Sequence, residues 1–533
     1  MNSDKHLRTL KNRALKGNLV SMFELYKILD EEKSPEVSKQ LSQIMNYISN
    51  NPIKLKNLRL IDFRKFKDLK VFDGFDENLT VIIGNNGSGK TSILEAISKS
   101  LSWIVNSILK EDRQGSPITY SDIRNDSEHS ADLIADFSIG DGTLFSLRLS
   151  RAKQAEAKKR DSVVLDVKNI ANVYREVHSQ IEINLPLFAC YLIERSYPLK
   201  VASQSYEKKK THKLDAYKNC LDGSGKFEFF VDWFIAESKK SKSDSSANNE
   251  YELGQLNLKI KSLENALSEI GNNIVKDEII DTVDRLKNRF HSLEKLGNDT
   301  LYETNHIQTV VKAIRIAIPS IEGIWLDNSD GLDEIKVKTY GSVVNLNQLS
   351  DGQRILLTLV ADIARRLVLL NPLSQKPLKG HGIILIDELE LHLHPSWQQK
   401  IVCNLRLLFP NIQFIIATHS PLILSTVNKK SIRVFASDND GQDYLAAPDF
   451  QSSGSDVNDV LEQVMGTSST PDIEIVRLFD NLIEQVEIGT GEINNEEFER
   501  DYNKIMMHFG SEHSTLKFLN KVIKLSEFKN RNK

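Results

Sequence analysis

The sequence predicts an α/β fold: a mostly parallel sheet covered by helices, with a helical hairpin inserted midway and helical segments at both ends. Three stretches predict it. "NLTVIIGNNG" (78–87) is a β-branched run that ends in glycine, and "TSILEAISKSLSWIV" follows it with helical spacing. "GIILIDE" (382–388) is an apolar run closed by two acidic residues, and "QFIIATH" (413–419) is a second one closed by histidine. Continuous apolar runs of this kind suit strands buried on both faces, and ligands gather at the carboxyl ends of such strands.

The 533 residues are enough for about two to four folding units. Hydrophobic residues make up 40% and charged residues 27%, the balance of a soluble globular protein. A formal net charge of −4 excludes a polycation, so contact with nucleic acid would fall to local basic patches such as "EKKKTHK" (207–213) or the tail 517–533. Three widely spaced cysteines, Cys190, Cys220 and Cys403, argue against a disulfide framework or a cysteine zinc site. No apolar run reaches about 18 residues, and "MNSDKHLRTLKNR" lacks the apolar centre of a signal peptide. The expectation is a cytoplasmic protein with no membrane contact.

In chain order, residues 1–52 read as helical. Leu15, Leu19, Met22, Tyr26 and Leu29 recur at helical spacing, with Gly17 as a break. The pattern resembles one Sel1- or TPR-type helical pair, and equally a helical cap on the domain that follows. Strand alternation in "KLKNLRLIDF" opens the N-terminal lobe of the head, 53–237. "SKKSKSDSSANN" (238–249) is a polar linker. Beyond it Leu253, Leu256, Ile260, Leu263, Leu267 and Ile270 form one apolar stripe, and Ile279, Val283, Leu286, Phe290 and Leu293 form another. Two helices of about 22 residues, roughly 33 Å each, are expected to pair as a coiled-coil hairpin rather than pack as a bundle on the main domain, the other arrangement these stripes allow, so that linker and hairpin occupy 238–299. A C-terminal lobe of the head spans 300–436, and 437–533 reads as mainly helical, acidic before its basic end.

Gly84, Asn85, Asn86, Gly87, Ser88, Gly89, Lys90 and Thr91 fit G-x-x-x-x-G-K-[ST] between a strand and a helix, with Ser92 next in line. Glycines let consecutive N–H groups point at phosphate oxygens, and the helix N-terminus adds partial positive charge. Lys90 is expected on the β- and γ-phosphates of ATP, and the Thr91 hydroxyl on Mg²⁺. Asp387 would hold the Mg²⁺ shell, Glu388 would act as general base toward water, and His419 would sense the γ-phosphate. His392 and His394 read as loop residues at a subunit contact rather than metal ligands. "LSDGQR" sets Ser350, Asp351, Gly352 and Gln353 at the start of a helix with no histidine close by to activate the serine. A second helix N-terminus of this kind, supplied by another copy of the chain, would cover the open side of the γ-phosphate.

The set "GNNGSGKT", "LSDGQR", "ILIDELELHLHP" and "ATHSP", in this order, resembles the ABC-type P-loop ATPase heads of the RecF, Rad50 and SMC superfamily. The resemblance implies Walker A at Lys90 and Thr91, Walker B at Asp387 and Glu388, a signature at Ser350, Gly352 and Gln353 acting in trans, and a switch at His419. It also implies a coiled coil near 250–297. Over about 55–465 the chain is similar to the PtuA ATPases of Septu anti-phage systems, including their retron-associated form. That similarity implies a defence role, a homodimer or higher homo-oligomer, a PtuB-like HNH endonuclease partner and, in the retron form, a reverse transcriptase with its msDNA. Two departures stand out. Asp351 replaces a glycine, which predicts slow or gated hydrolysis if its carboxylate faces phosphate. In addition, "ITYSDIRN" (118–125) carries no Q-loop glutamine. Two alternatives share some motifs: a RecF/Rad50-like DNA-repair ATPase, and an OLD-type nuclease using Asp438 and Asp440. The second needs strands on both sides of "FASDNDGQDY", which reads instead as a polar turn.

Overall fold

A computed structural model describes residues 2–153, 161–193, 212–223, 227–243, 306–328, 333–438, 442–488 and 496–531, with a few isolated positions between 244 and 305. The hairpin expected near 250–297, and all but the end of the basic stretch 207–213, lie outside the described residues. The chain divides into two compact units, Met1–Ser455 and Asp456–Lys533.

The first unit is built on a ten-stranded sheet. Its strands in chain order are β1 (Ile53–Phe63), β2 (Phe66–Val71), β3 (Leu79–Ile83), β4 (Ser130–Ile139), β5 (Thr143–Ala152), β6 (Leu187–Tyr191), β10 (Gly382–Ile386), β11 (Ile412–Thr418), β12 (Ile432–Ser437) and β13 (Asp443–Ala446). A separate three-stranded sheet holds β7 (Ile321–Asp327), β8 (Glu334–Thr339) and β9 (Ser342–Asn345). The large sheet runs β5-β4-β1-β2-β13-β12-β3-β11-β10-β6. The β12, β3, β11, β10 and β6 neighbours are parallel, and β1, β2, β4 and β5 pair antiparallel. Composition explains the split: β3, β10 and β11 are buried at every position, whereas β2 alternates buried with exposed. The sheet curls back on itself. Gln413 on β11 accepts the Leu55 N–H at 2.8 Å and donates to the Leu55 carbonyl at 2.9 Å, although β1 lies five places away in the strand order.

Helices of this unit include α1 (Asn2–Leu15), α2 (Leu19–Glu31), α3 (Val37–Asn50), α4 (Lys90–Leu109), α5 (Leu165–Gln180), α6 (Glu228–Ser243), α7 (Asp351–Leu370), α8 (Pro395–Leu408) and the single turn α9 (Pro421–Leu424), and residues 306–317 are helical as well. The first three cap the β4–β5 end of the sheet. Thr143 accepts the Leu19 N–H and donates to the Gly17 carbonyl, both at 2.8 Å, and the Tyr47 hydroxyl donates to the Ile139 carbonyl at 2.9 Å.

The boundary expected at 436 moves. β13 pairs with β12 and with β2, so the sheet takes in residues 443–446 and the first unit runs to Ser455. Strands therefore do flank "FASDNDGQDY", contrary to the sequence reading. They pair antiparallel inside the head, and the Asp438 carboxylate accepts the Gln442 N–H at 2.8 Å. The second unit is helical: α10 (Val457–Gln463), α11 (Glu474–Ile488), α12 (Glu496–Phe509) and α13 (Ser514–Arg531).

Candidate active site

β3, β11 and β10 are consecutive neighbours in the sheet, and their carboxyl ends are level. Ile83 pairs with Thr418, and Ile416 with Ile386. The phosphate loop, His419 and Asp387–Glu388 therefore leave the sheet side by side. The loop itself depends on its glycines. Gly87 and Gly89 have φ of 76° and 98°, in the left-handed region. A Cβ on Gly89 would lie 2.3 Å from the Phe66 ring, and one on Gly84 would lie 2.6 Å from the Phe435 ring. These two rings stack with centroids 6.0 Å apart and support the loop from beneath.

Lys90 folds back over the loop, donating to the Gly84 and Asn85 carbonyls at 3.1 and 3.4 Å, and its amine also touches His419 Nε2. The Lys65 amine meets the Gly87 carbonyl at 3.2 Å. Asn85, Asn86 and Gly87 are exposed, and Ser88 Oγ is buried with no hydrogen-bond partner among the described residues. One turn into α4, Thr91 Oγ1 donates to Asp387 Oδ2 at 2.7 Å, which joins the two residues read as Mg²⁺ ligands. Ser92 Oγ lies 3.4 Å from an Arg64 nitrogen, and Arg64 is itself held by Glu95 and Asp122. An open glycine cradle, an orphan hydroxyl, a lysine at its centre and two adjoining oxygen ligands fit a triphosphate with Mg²⁺.

Glu388 follows Asp387 at a φ of 46°, a conformation costly for a non-glycine residue and common at functional sites. Burial, together with the carboxylates of Glu390 and Asp387, pushes Glu388 up to about 7, against the opposing effect of Lys90. Burial also pushes the His419 imidazole down, and the Lys90 cation adds to it. Both effects favour the neutral imidazole, whose Nε2 lies 3.5 Å from the Glu388 carboxylate. Burial lowers Lys90 as well, opposed by Glu388, Asp387 and Glu390. Glu390 is the residue that sequence reasoning missed. Its carboxylate accepts the His419 N–H and the Thr418 hydroxyl, the latter at 2.6 Å, and so ties the turn after β10 to His419. The signal was in view as the third carboxylate of "IDELE".

The Ser350 turn is built differently from expectation. Ser350 is the exposed N-cap of α7, and Gln353 completes a capping box with it. Gln353 is 6% exposed and fully engaged. Its Oε1 accepts from Ser350 Oγ at 3.0 Å, and its Nε2 donates to Ser320 Oγ at 3.1 Å and Thr339 Oγ1 at 3.0 Å. Gln353 thus fastens the helix start to the β7–β9 sheet and has no spare group for a nucleotide. The Asp351 carboxylate is drawn to Arg354 at 2.6 Å. Gly352 lies against the chain after Walker B, where a Cβ would come 2.6 Å from the His392 carbonyl. His394 caps α8, its Nδ1 2.9 Å from Ser396 Oγ. Among the described residues, no hydrogen bond joins this turn to the phosphate loop, and no cluster of three His, Cys, Asp or Glu stands ready for a metal.

Fold and site together define an ABC-type P-loop ATPase head. Residues 53–424 match the family described as "AAA ATPase domain". The chain belongs to this family and, within it, with the PtuA-like ATPases of retron and Septu type. It is 33% identical over 483 residues to the "Retron Vc95 probable ATPase" of Vibrio cholerae serotype O1 biovar El Tor, covering 88% of this chain and 90% of that one. The "Septu protein PtuA" of Bacillus mycoides (strain KBAB4) is 30% identical over 163 residues, 30% of this chain and 22% of that one. Among solved structures, an Smc head domain from Pyrococcus furiosus aligns over 74% of this chain and 96% of its own, at a TM-score of 0.37 and 17% identity.

Proposed function

We propose that this ATPase is the ATP-binding and hydrolysing subunit of an anti-phage defence complex. Two copies close around ATP held between the Walker A loop of one and the Ser350 turn of the other. The observation that carries the reading is the convergence of Lys90, Thr91, Asp387, Glu388 and His419 at one edge of the sheet. When bound, Mg²⁺ supplies a Lewis acid at the phosphate oxygens, and Thr91 Oγ1 and Asp387 are the residues to hold it. Lys90 and the loop N–H groups hold the phosphates. Glu388 takes the proton of the attacking water, and His419 hydrogen-bonds the transferring phosphate.

The trans contact is supported by an exposed serine at the N-terminus of a 20-residue helix, where the backbone dipole favours an anion. With Asp351 turned to Arg354, its charge does not bar phosphate from the Ser350 turn. Retron and Septu relatives support a defence role, and the family resemblance supports a PtuB-like HNH endonuclease as partner, with a reverse transcriptase and msDNA in the retron form. Changing Glu388→Gln is expected to cut turnover by roughly 10²–10⁴-fold. ATP should stay bound, and with MgATP the variant should sediment as a stable dimer. Turnover at the wild-type rate would remove Glu388 as the base.

A further inference from the structure

The second unit has a core of its own, where Leu482, Val486, Phe498, Ile505, Leu516 and Leu519 are buried. α13 gives one side to that core and leaves the other in solvent. On the outer side Phe518, Leu525 and Phe528 are 54%, 61% and 66% exposed, with Lys521 and Lys524, also exposed, among them. Positions 518, 521, 525 and 528 step by three and four, so they form one stripe, about 15 Å long. The segment 514–531 holds Lys517, Lys521, Lys524, Lys529 and Arg531 against Glu527 alone, in a chain whose net charge is −4. Lys517 pairs with Glu512 at 2.8 Å, whereas Lys521 and Lys524 have no ion-pair partner among the described residues.

The stripe is ill-suited to another apolar helix, because Lys521 sits in its middle and a lysine at a seam position weakens such packing. A second copy of the same face would set lysines against lysines. A single strand of nucleic acid satisfies every group present: phosphates meet the lysines, and unpaired bases stack on the phenyl rings. We propose that the outer face of α13 binds single-stranded nucleic acid, with Phe518 and Phe528 on bases and Lys521 and Lys524 on the phosphates between them. This site shares no residue with the ATP site and does not depend on the reading given to it.

The test uses the full chain and a fluorescein-labelled oligo(dT) of about 20 nucleotides, read by fluorescence anisotropy between about 50 and 200 mM salt. The wild type should bind it. The double change Phe518→Ala with Phe528→Ala should weaken binding on the order of tenfold or more at fixed salt, and Phe518→Trp with Phe528→Trp should retain it. The double change Lys521→Ala with Lys524→Ala should flatten the log–log salt slope by about 1.4. A duplex of equal length should bind more weakly, because its bases are already stacked. Turnover of ATP without nucleic acid should be unchanged in all variants. Absence of wild-type binding at the lowest salt overturns the proposal. So does an alanine pair at 518 and 528 that binds as well as the wild type, or poly-glutamate that displaces the oligonucleotide at equal charge, since either result means the face reads charge alone and suits an acidic protein as well.

Discussion

Gly89 has no room for a side chain. Its φ of 98° disfavours an L-residue, and a methyl group there would lie 2.3 Å from Phe66, itself fully buried. Gly89→Ala is expected to leave the chain folded, because the strain stays in one loop, and to abolish binding of a fluorescent ATP analogue. Retained affinity would show that the loop does not need this backbone. Gln353 makes a complementary case. Gln353→Ala removes half of a capping box and two bonds to Ser320 and Thr339, a loss of about 1–2 kcal/mol for the cap alone. The expected phenotype is weakened ATP-dependent association with intact nucleotide binding by the monomer; weakened monomer binding would place Gln353 at the nucleotide after all. Lys90, Thr91, Asp387 and His419 were legible in sequence because each sits at a fixed offset from an apolar run. The role of Gln353 was not, since its partners come from a sheet that no local pattern announces. Glu390 was hidden by having two more conspicuous carboxylates just before it.

Among the elements, α7 links the Ser350 turn to the edge of the sheet. It is buried along most of its length, so its polar side chains need partners within the fold. Asp362 bonds Arg365 at 2.8 Å, Arg366 at 2.7 Å and the Tyr191 hydroxyl at 2.9 Å, and Tyr191 ends β6 beside the Walker B strand. Burial raises Asp362, but the guanidinium groups of Arg366 and Arg365 outweigh it and hold the carboxyl down at about 2. Its contribution to stability is therefore complete above the ordinary value of 3.8 and is lost only as pH falls through about 2. Asp362→Ala strands two buried cations and should cost about 3–5 kcal/mol. In thermal unfolding the gap to the wild type should stay constant from about pH 7 down to about pH 4.5. A gap that closes within that range would mean the carboxyl titrates near its ordinary value or above. At this scale β3, β10 and β11 were legible because strands buried on both faces read as unbroken apolar runs. β12 and β13 were missed as a pair because they are short, partly exposed and separated by polar sequence.

In the first unit as a whole, the curl of one sheet brings distant segments together. Gln413 bonds the backbone of Leu55, some 358 residues away, and the phosphate loop rests on Phe66 and Phe435 from opposite ends of the unit. The result brings the phosphate loop, Asp387, Glu388 and His419 together in one chain, whereas among the described residues no hydrogen bond joins the exposed helix start at Ser350 to them. Shared nucleotide sites between two copies follow if that start is to act on phosphate at all. Mixing Lys90→Ala with Ser350→Arg measures this most directly. Each variant alone should be inactive, one for want of a phosphate lysine and the other for want of a usable partner surface. Mixed dimers pair the intact loop of one with the intact Ser350 turn of the other and should recover up to about a quarter of wild-type ATP turnover. No recovery on mixing, or a Ser350→Arg chain that turns over ATP unaided, would contradict a nucleotide shared between two copies.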